Sequence, residues 1–304
     1  MGARARMVSV SGWRPKRDSL TAYAFIAPFL LFYGLLKLWP IVYGFWISLH
    51  NWGTLGLNVT FTGLENYQRV VNDRLFWEAV YNTSLFTALA TPTLIGLGLA
   101  LALVLNGALR GGSGFRALFY LPNVLSVSVI GLIFVVVLRA DDAGLVNNIL
   151  SRFDVGPIAF LLDAAMAMPS IALVAVWWTV GFNMLILLAG LQNIADDVND
   201  AARVDGANGW QHFWRITVPL LRRPLTFVVI LQIIFCFQLF GLIDIMTKGG
   251  PGGKTRSIVY YIFERAFTQN HLGYGSAIAF LLFTLLFVFA LVQLRLLRRE
   301  DDAV

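Results

Sequence analysis

The chain has 304 residues, of which 58% are hydrophobic and only 13% charged, with a mean hydropathy of +0.72; too little charge is available to cover a soluble domain, and the composition is that of an integral membrane protein. The net charge of +6 does not point to nucleic acid, because the Lys and Arg residues flank apolar runs instead of forming a stripe with interleaved aromatics. The single cysteine, Cys236, excludes an internal disulfide and a thiolate metal site.

In chain order, the basic opening MGARARMVSVSGWRPKRDS precedes an apolar stretch from about Leu20 to Leu49, longer than the roughly 7–15 apolar residues of a cleavable signal. It reads as a retained first span. A hydrocarbon core of roughly 30 Å takes about 20 apolar helical residues, and six stretches reach that length, at about 22–48, 82–106, 117–138, 168–191, 224–246 and 276–297. Backbone groups find no water there, so the spans must be helices. The expected architecture is all-α and polytopic: a segment 1–19, a six-helix transmembrane domain 20–298 containing a polar loop at 192–222, and a tail 299–304.

Fourteen of the 23 Lys and Arg fall before the first span, around 107–116, in or directly after the 192–222 loop, and at or beyond the end of the last span. The excess of Lys and Arg on the inner side of a membrane then places both termini and that loop in the cytoplasm. The opposite connections, at about 50–80, 139–167 and 247–275, are too short to form separate domains. In the first of them, FTGLENYQRV and DRLFWEAVYNTS mix aromatics with acids, as an interfacial helix leading into the second span would.

Catalytic chemistry is not visible. His50, His212 and His271 lie in different loops, which argues against a zinc or haem site; Asp196, Asp197, Asp200 and Asp205 share a surface loop without an apolar pocket to tune a carboxylate. KGGPGGKT, Lys248 to Thr255, ends like a phosphate-binding loop, yet Lys248 occupies the position of the first glycine and the segment follows a membrane helix rather than a strand. Its glycines read instead as a turn capping the fifth span. The chain is expected neither to hydrolyse ATP nor to carry a cofactor or metal.

The 192–222 loop is the most structured of the polar segments. Asp196 to Val204 suits a helix with Asp200 and Arg203 on one face, Asp205-Gly206-Ala207-Asn208-Gly209 breaks it, and WQHFWRITVPLL starts a second amphipathic piece with Trp210, Phe213, Trp214 and Thr217 at helical spacing. A helix, a turn and a helix follow. Two readings are open: an interfacial elbow between spans, or a short helix projecting into a groove of a soluble partner, with Ala201, Ala202, Gly206 and Ala207 small enough to permit close approach. Arg203 and Arg215 either pair with partner acids or decorate the inner surface.

This stretch resembles the cytoplasmic signature of binding-protein-dependent ABC importers: E-A-A, three residues, G, nine residues, I-x-L-P. Asp200-Ala201-Ala202, Gly206, Ile216, Val218 and Pro219 stand at those spacings, and Asp205-Gly206-Ala207 with Phe213 match the fuller form of the carbohydrate-uptake permeases. Asp200 replaces Glu, Val218 replaces Leu, and Ala195 stands where related sugar permeases often carry Pro. GLENY, LPNV, GLVNNIL, TKGGPGGKT and YYIFERAF are similar to the same family, that of the maltose and glycerol-3-phosphate permeases. The resemblance implies the fold of a type I importer permease in a bacterial or archaeal inner membrane. It implies as partners a second permease subunit, two ATP-binding subunits that carry ATP and magnesium, and an extracytoplasmic solute-binding protein. Residues Asp200, Ala201, Ala202, Arg203, Asp205, Gly206, Ala207, Ile216 and Pro219 would couple the chain to the ATPase.

Sugar transport would need aromatic faces and amides inside the spans. Trp177, Trp178, Phe182 and Asn183 in span four, with Phe237 and Gln238 in span five, are the candidates, the amides because each must find a polar partner in hydrocarbon. An ion-driven secondary transporter is the alternative of a different mechanism, though it would need ionisable groups deep in the spans and the charged Lys37 and Asp244 are read as lying nearer span ends; a membrane scaffold without transport is another.

Overall fold

A computed structural model describes residues 15–53, 56, 59–107 and 111–301, with only the backbone described for 15–22, 294 and 296–301. The segment 1–14 and Arg110, on which part of the expected orientation rests, and the tail 302–304 lie outside the described residues. Among the described residues the regular structure is helical apart from one antiparallel pair of two-residue strands.

Helix α1 (Pro15–Tyr33) runs through a π-helical turn (Gly34–Leu38) into α2 (Trp39–Ser48), giving one continuous path. None of its most apolar window is buried, so most of this span lies on the outside of the bundle, and it joins the rest of the chain near its end, where Phe45 meets Phe280 and Ile47 and Ser48 are buried. Strands β1 (His50–Asn51) and β2 (Thr60–Phe61) pair with His50 opposite Phe61. Helix α3 (Glu65–Val71) and the long α4 (Arg74–Asn106) follow, the latter started by Asp73, whose carboxylate accepts from the Leu75 N–H at 2.9 Å.

The third apolar stretch is not one straight helix. Helices α5 (Gly112–Val124) and α6 (Val127–Val137) meet at 93°, because Leu125 and Ser126 are extended and Ser126 caps α6 by accepting from Val129 N–H. The break frees the Leu125 carbonyl, and Trp178 Nε1–H donates to it at 3.3 Å, as a chain interruption inside a membrane requires. After α7 (Leu145–Ser151) comes α8 (Ala167–Gln192), the hub of the bundle, with 61% of its most apolar window buried. It packs against α4 and α5 at small residues. A Cβ at Gly181 would lie 2.1 Å from the Phe119 carbonyl oxygen of α5.

The polar loop folds as α9 (Asp196–Val204), α10 (Gly209–His212), a π turn (Phe213–Thr217) and α11 (Val218–Leu220), then turns by 67° into α12 (Arg222–Phe237). The fifth stretch is also interrupted. Helix α12 spans only about 24 Å at 1.5 Å per residue, the chain breaks at residues 238–240, and α13 (Gly241–Met246) resumes. Here the freed Leu239 carbonyl accepts from Ser257 Oγ at 2.6 Å. Helix α14 (Ile258–Phe263), a third π turn (Glu264–Thr268) and α15 (Leu272–Asp301) complete the fold. Four helices among the described residues are long and apolar enough to cross a bilayer, and six spans result when each bent pair counts as one.

Several stretches of the family resemblance turn out to be loop fastenings. Asn66 of GLENY donates to the Ser48 and His50 carbonyls at 2.9 Å each. Asn147 of GLVNNIL donates to the Arg139 and Ile158 carbonyls and accepts from the Ile158 N–H. The glycine-rich turn does not cap its helix with glycine: Lys248, at φ 49°, supplies the left-handed residue and its N–H donates to the Ile243 carbonyl at 2.7 Å. The glycines shape the following loop, which Asn82 holds by donating to the Gly253 and Arg256 carbonyls. Thr255 is fully buried and its hydroxyl is engaged with Gly250 O and Thr247 Oγ1 at 2.6 and 2.7 Å. The apparent phosphate-loop threonine is thus part of an internal knot.

Candidate functional site

Two places concentrate polar groups that the fold alone does not need: the elbow α9–α11 and a cavity between α4, α8 and α12.

The elbow is built by backbone rules. Ala195, at φ −61° and ψ 139°, precedes α9 in the conformation a proline would impose, so alanine there leaves the chain direction unchanged. At the other end Gly206, at φ +77°, closes a Schellman turn: its N–H donates to the Arg203 carbonyl and Ala207 N–H donates to the Ala202 carbonyl, at 3.1 and 3.0 Å. Asn208 and Gln211 then form a reciprocal capping box that starts α10. Asp200 and Arg203 pair at 3.1 Å, and both are exposed. Of the small residues, Ala202 is buried, Ala207 half-buried and Ala201 exposed; Ile216 is half-buried, whereas Asp205 and Pro219 are exposed. Large apolar groups are left outside the bundle, above all Val204 at 87% exposure and Trp210 at 72%. Trp210 and Trp214 pack edge to face at 5.6 Å between ring centroids.

The cavity, of about 280 Å³, is lined by Phe86, Asn123, Trp178, Phe182, Gln232, Phe235 and neighbours. Its polar residues Gln232 and Cys236 belong to a connected seam that continues behind the wall. Asn183 Nδ2 donates to the Thr179 carbonyl at 3.2 Å and to Gln232 Oε1 at 3.3 Å; Gln232 Nε2 donates to Cys236 Sγ at 3.7 Å, and Thr91 Oγ1 lies 3.7 Å from the same sulfur. Asn183, Gln232, Thr91 and Cys236 are all buried, so the amides satisfy one another inside hydrocarbon, as buried polar groups must.

Of the six span residues singled out by sequence, Trp178 and Phe182 line this cavity and Asn183 supports it through Gln232. Trp177 points to another groove, against Phe134 of α6 with ring centroids 5.3 Å apart. Phe237 packs against the cluster around Tyr261 and Ile278, and Gln238 sits exposed at the break after α12. Gln232 and Asn123 escaped the sequence reading, although the reason that selected Asn183, an amide in mid-span, applies equally to Gln232.

On the side remote from the elbow, Asp73 ties three elements together. Tyr261 and Tyr274 hydroxyls both donate to Asp73 Oδ2, the second at 2.5 Å, and Arg265 lies 3.6 Å from the same oxygen while donating to Tyr261 Oη at 2.7 Å. Burial pushes the Asp73 carboxyl up, but the two tyrosine hydrogen bonds, the Leu75 N–H and the Arg265 charge outweigh it and hold it below the usual carboxylate range. Burial and the bond to Asp73 push the Tyr261 phenol up to about 12.

The deciding comparison concerns the two thirds of the chain that contain the elbow and most of the cavity wall. Residues 93–301 match the family described as the binding-protein-dependent transport system inner membrane component. The chain belongs to this family. It is similar along nearly its whole length to the sulfoquinovosyl glycerol transport system permease protein SmoG of Agrobacterium fabrum, 35% identical with 95% of this chain and 94% of that protein covered. The trehalose/maltose transport system permease protein MalF of Thermococcus litoralis is 36% identical, with 94% and 96% covered. A crystal structure of a bacterial alginate ABC transporter, in complex with an alginate pentasaccharide-bound periplasmic protein, holds a chain with a TM-score of 0.81 over 94% of this chain and 96% of that one. At 22% identity that likeness establishes the fold. The chain is therefore a transport permease of the inner membrane, in a family of binding-protein-dependent transport systems.

Proposed function

We propose that this permease is one of two membrane subunits of an ATP-driven importer for a sugar or oligosaccharide. The elbow would dock on a separate ATP-binding subunit that carries ATP and magnesium, and an extracytoplasmic binding protein would deliver solute to the opposite face. Both termini would be cytoplasmic. The observation that carries this reading is the elbow itself. It keeps the family spacing from Asp200 to Pro219, is rigidly capped at both turns, and still leaves Val204 and Trp210 without cover in this chain. Exposed apolar groups next to a fixed turn suit a helix seated in a partner's groove.

In transport terms, ATP-driven closure of the partner would move the elbow as a rigid lever. Because α11 leads directly into α12, that motion would reach Gln232 and Phe235 on the cavity wall. Aromatic faces of Trp178 and Phe182 beside the amides of Asn123 and Gln232 offer a pyranose both an apolar face and hydrogen bonds. The named relatives support a saccharide as solute.

The test is cross-linking and labelling in intact membranes that hold the permeases with their ATPase. Val204→Cys should cross-link to the ATPase subunit, and Lys254→Cys should react with an impermeant thiol reagent from outside. Absence of the cross-link in transport-competent vesicles would remove the coupling role, and protection of Lys254→Cys would overturn the orientation.

A further inference from the structure

One side chain in the elbow joins its two arms, and neither the helix caps nor the spacing from Asp200 to Pro219 accounts for it. His212 Nε2 lies 3.0 Å from Asn199 Oδ1 on α9, and His212 Nδ1 lies 3.3 Å from Thr217 Oγ1 at the end of the π turn. Both contacts are satisfied when Nε2–H donates to the Asn199 amide oxygen and the Thr217 hydroxyl donates to an unprotonated Nδ1 or accepts from a protonated one.

The π turn makes this geometry possible. On an α-helix a residue five positions further on lies about 140° around the axis, so Thr217 would face away from His212. A turn closed by i→i+5 bonds brings it back to the same side. Thr217 is buried, and its carbonyl accepts from the N–H of the fully buried Leu221, the residue immediately before α12. A relay of hydrogen bonds thus runs from α9 through His212 and Thr217 to the foot of α12. Packing gives α9 little help: Ala202 is its one buried residue.

We propose that His212 is the positioning residue of the elbow. It fixes the angle between α9 and α12, so that displacement of the Asp200–Ala207 turn moves the cavity wall instead of flexing the loop. This role rests on the coupling reading given above. Loss of the imidazole would leave the caps and both helices intact and free their mutual angle.

The experiment uses the complete transporter in proteoliposomes, with nitroxides at Val198→Cys on α9 and Leu220→Cys beside α12, both exposed positions. His212→Ala and Asn199→Ala should each broaden the distance distribution and lower solute transported per ATP by about five-fold, the factor one net hydrogen bond supports. The double variant should be no worse than either single one, since both remove the same interaction. His212→Gln should restore both readouts, because its amide offers one donor and one acceptor. A distribution in His212→Ala as narrow as in the parent, additive losses in the double variant, or failure of Gln to restore would each overturn the brace. Broadened distances with unchanged transport per ATP would overturn the coupling role instead, leaving the two failures distinct.

Discussion

Gly206 offers the sharpest separation between a helix cap and a contact with the partner. Its φ of +77° disfavours any residue with a Cβ, but a Cβ built there meets nothing within 4 Å in this chain. Within the chain, then, substitution acts through backbone conformation alone. Alanine should cost about 1 kcal/mol in this left-handed position and valine somewhat more, whereas asparagine tolerates it and should cost only a few tenths. An effect of that size frays the end of α9 modestly. If the ATPase subunit lies against the glycine, all three side chains, asparagine included, must be accommodated between two packed surfaces, at an overpacking cost of about 1–3 kcal/mol. Reconstituted with the ATPase and binding protein, Gly206→Asn, Gly206→Ala and Gly206→Val should therefore all lose solute-stimulated ATP hydrolysis and uptake, about ten-fold or more, with insertion unaffected. Full coupled activity in Gly206→Asn, with a shallow decline through alanine to valine, would show that the glycine serves only the Schellman turn and refute the contact.

Three further outcomes follow from particular contacts. Gly181→Ala would drive a Cβ to 2.1 Å from the Phe119 carbonyl, so α5 must retreat; a destabilisation of about 1–3 kcal/mol and a lowered melting temperature in detergent are expected, and an unchanged melting temperature would contradict the close approach of α5 and α8. Asn183→Leu leaves Gln232 Oε1 without the Asn183 amide donor and Gln232→Leu removes a cavity-lining amide, so both should reduce uptake with little loss of stability, since intramembrane hydrogen bonds average about 0.6 kcal/mol; normal uptake in both variants would make these residues packing groups. For Asp73, whose carboxyl is held below its ordinary value, the stabilisation is present above the usual carboxylate range of about 4 and is lost as pH falls through the lowered folded value. Tyrosine ultraviolet absorbance should accordingly report an intact Asp73–Tyr261–Tyr274 cluster from neutral pH to below about 4, and an opening already at pH 5–6 would contradict the assignment.

The sequence by itself determined the membrane class, the number and approximate extent of the apolar stretches, and the elbow. These follow from local quantities: the length of an apolar run against bilayer thickness, the glycine that ends α9, and the spacing from Asp200 to Pro219. It also marked Asn183, because an amide in hydrocarbon requires a partner. The partner was not legible. Nothing in the primary order says that Asn183 meets Gln232, that Trp178 rather than Trp177 faces the cavity, or that Asp73 gathers Tyr261, Tyr274 and Arg265 from the far end of the chain. Nor did apolar runs disclose the breaks at residues 125–126 and 238–240. An interrupted membrane helix is tolerated only where distant donors, here Trp178 and Ser257, take up the freed carbonyls. Hydropathy is summed along the chain and fixes what enters the membrane, whereas satisfaction of each polar group inside it depends on which helices lie side by side, and that is settled only by the tertiary fold.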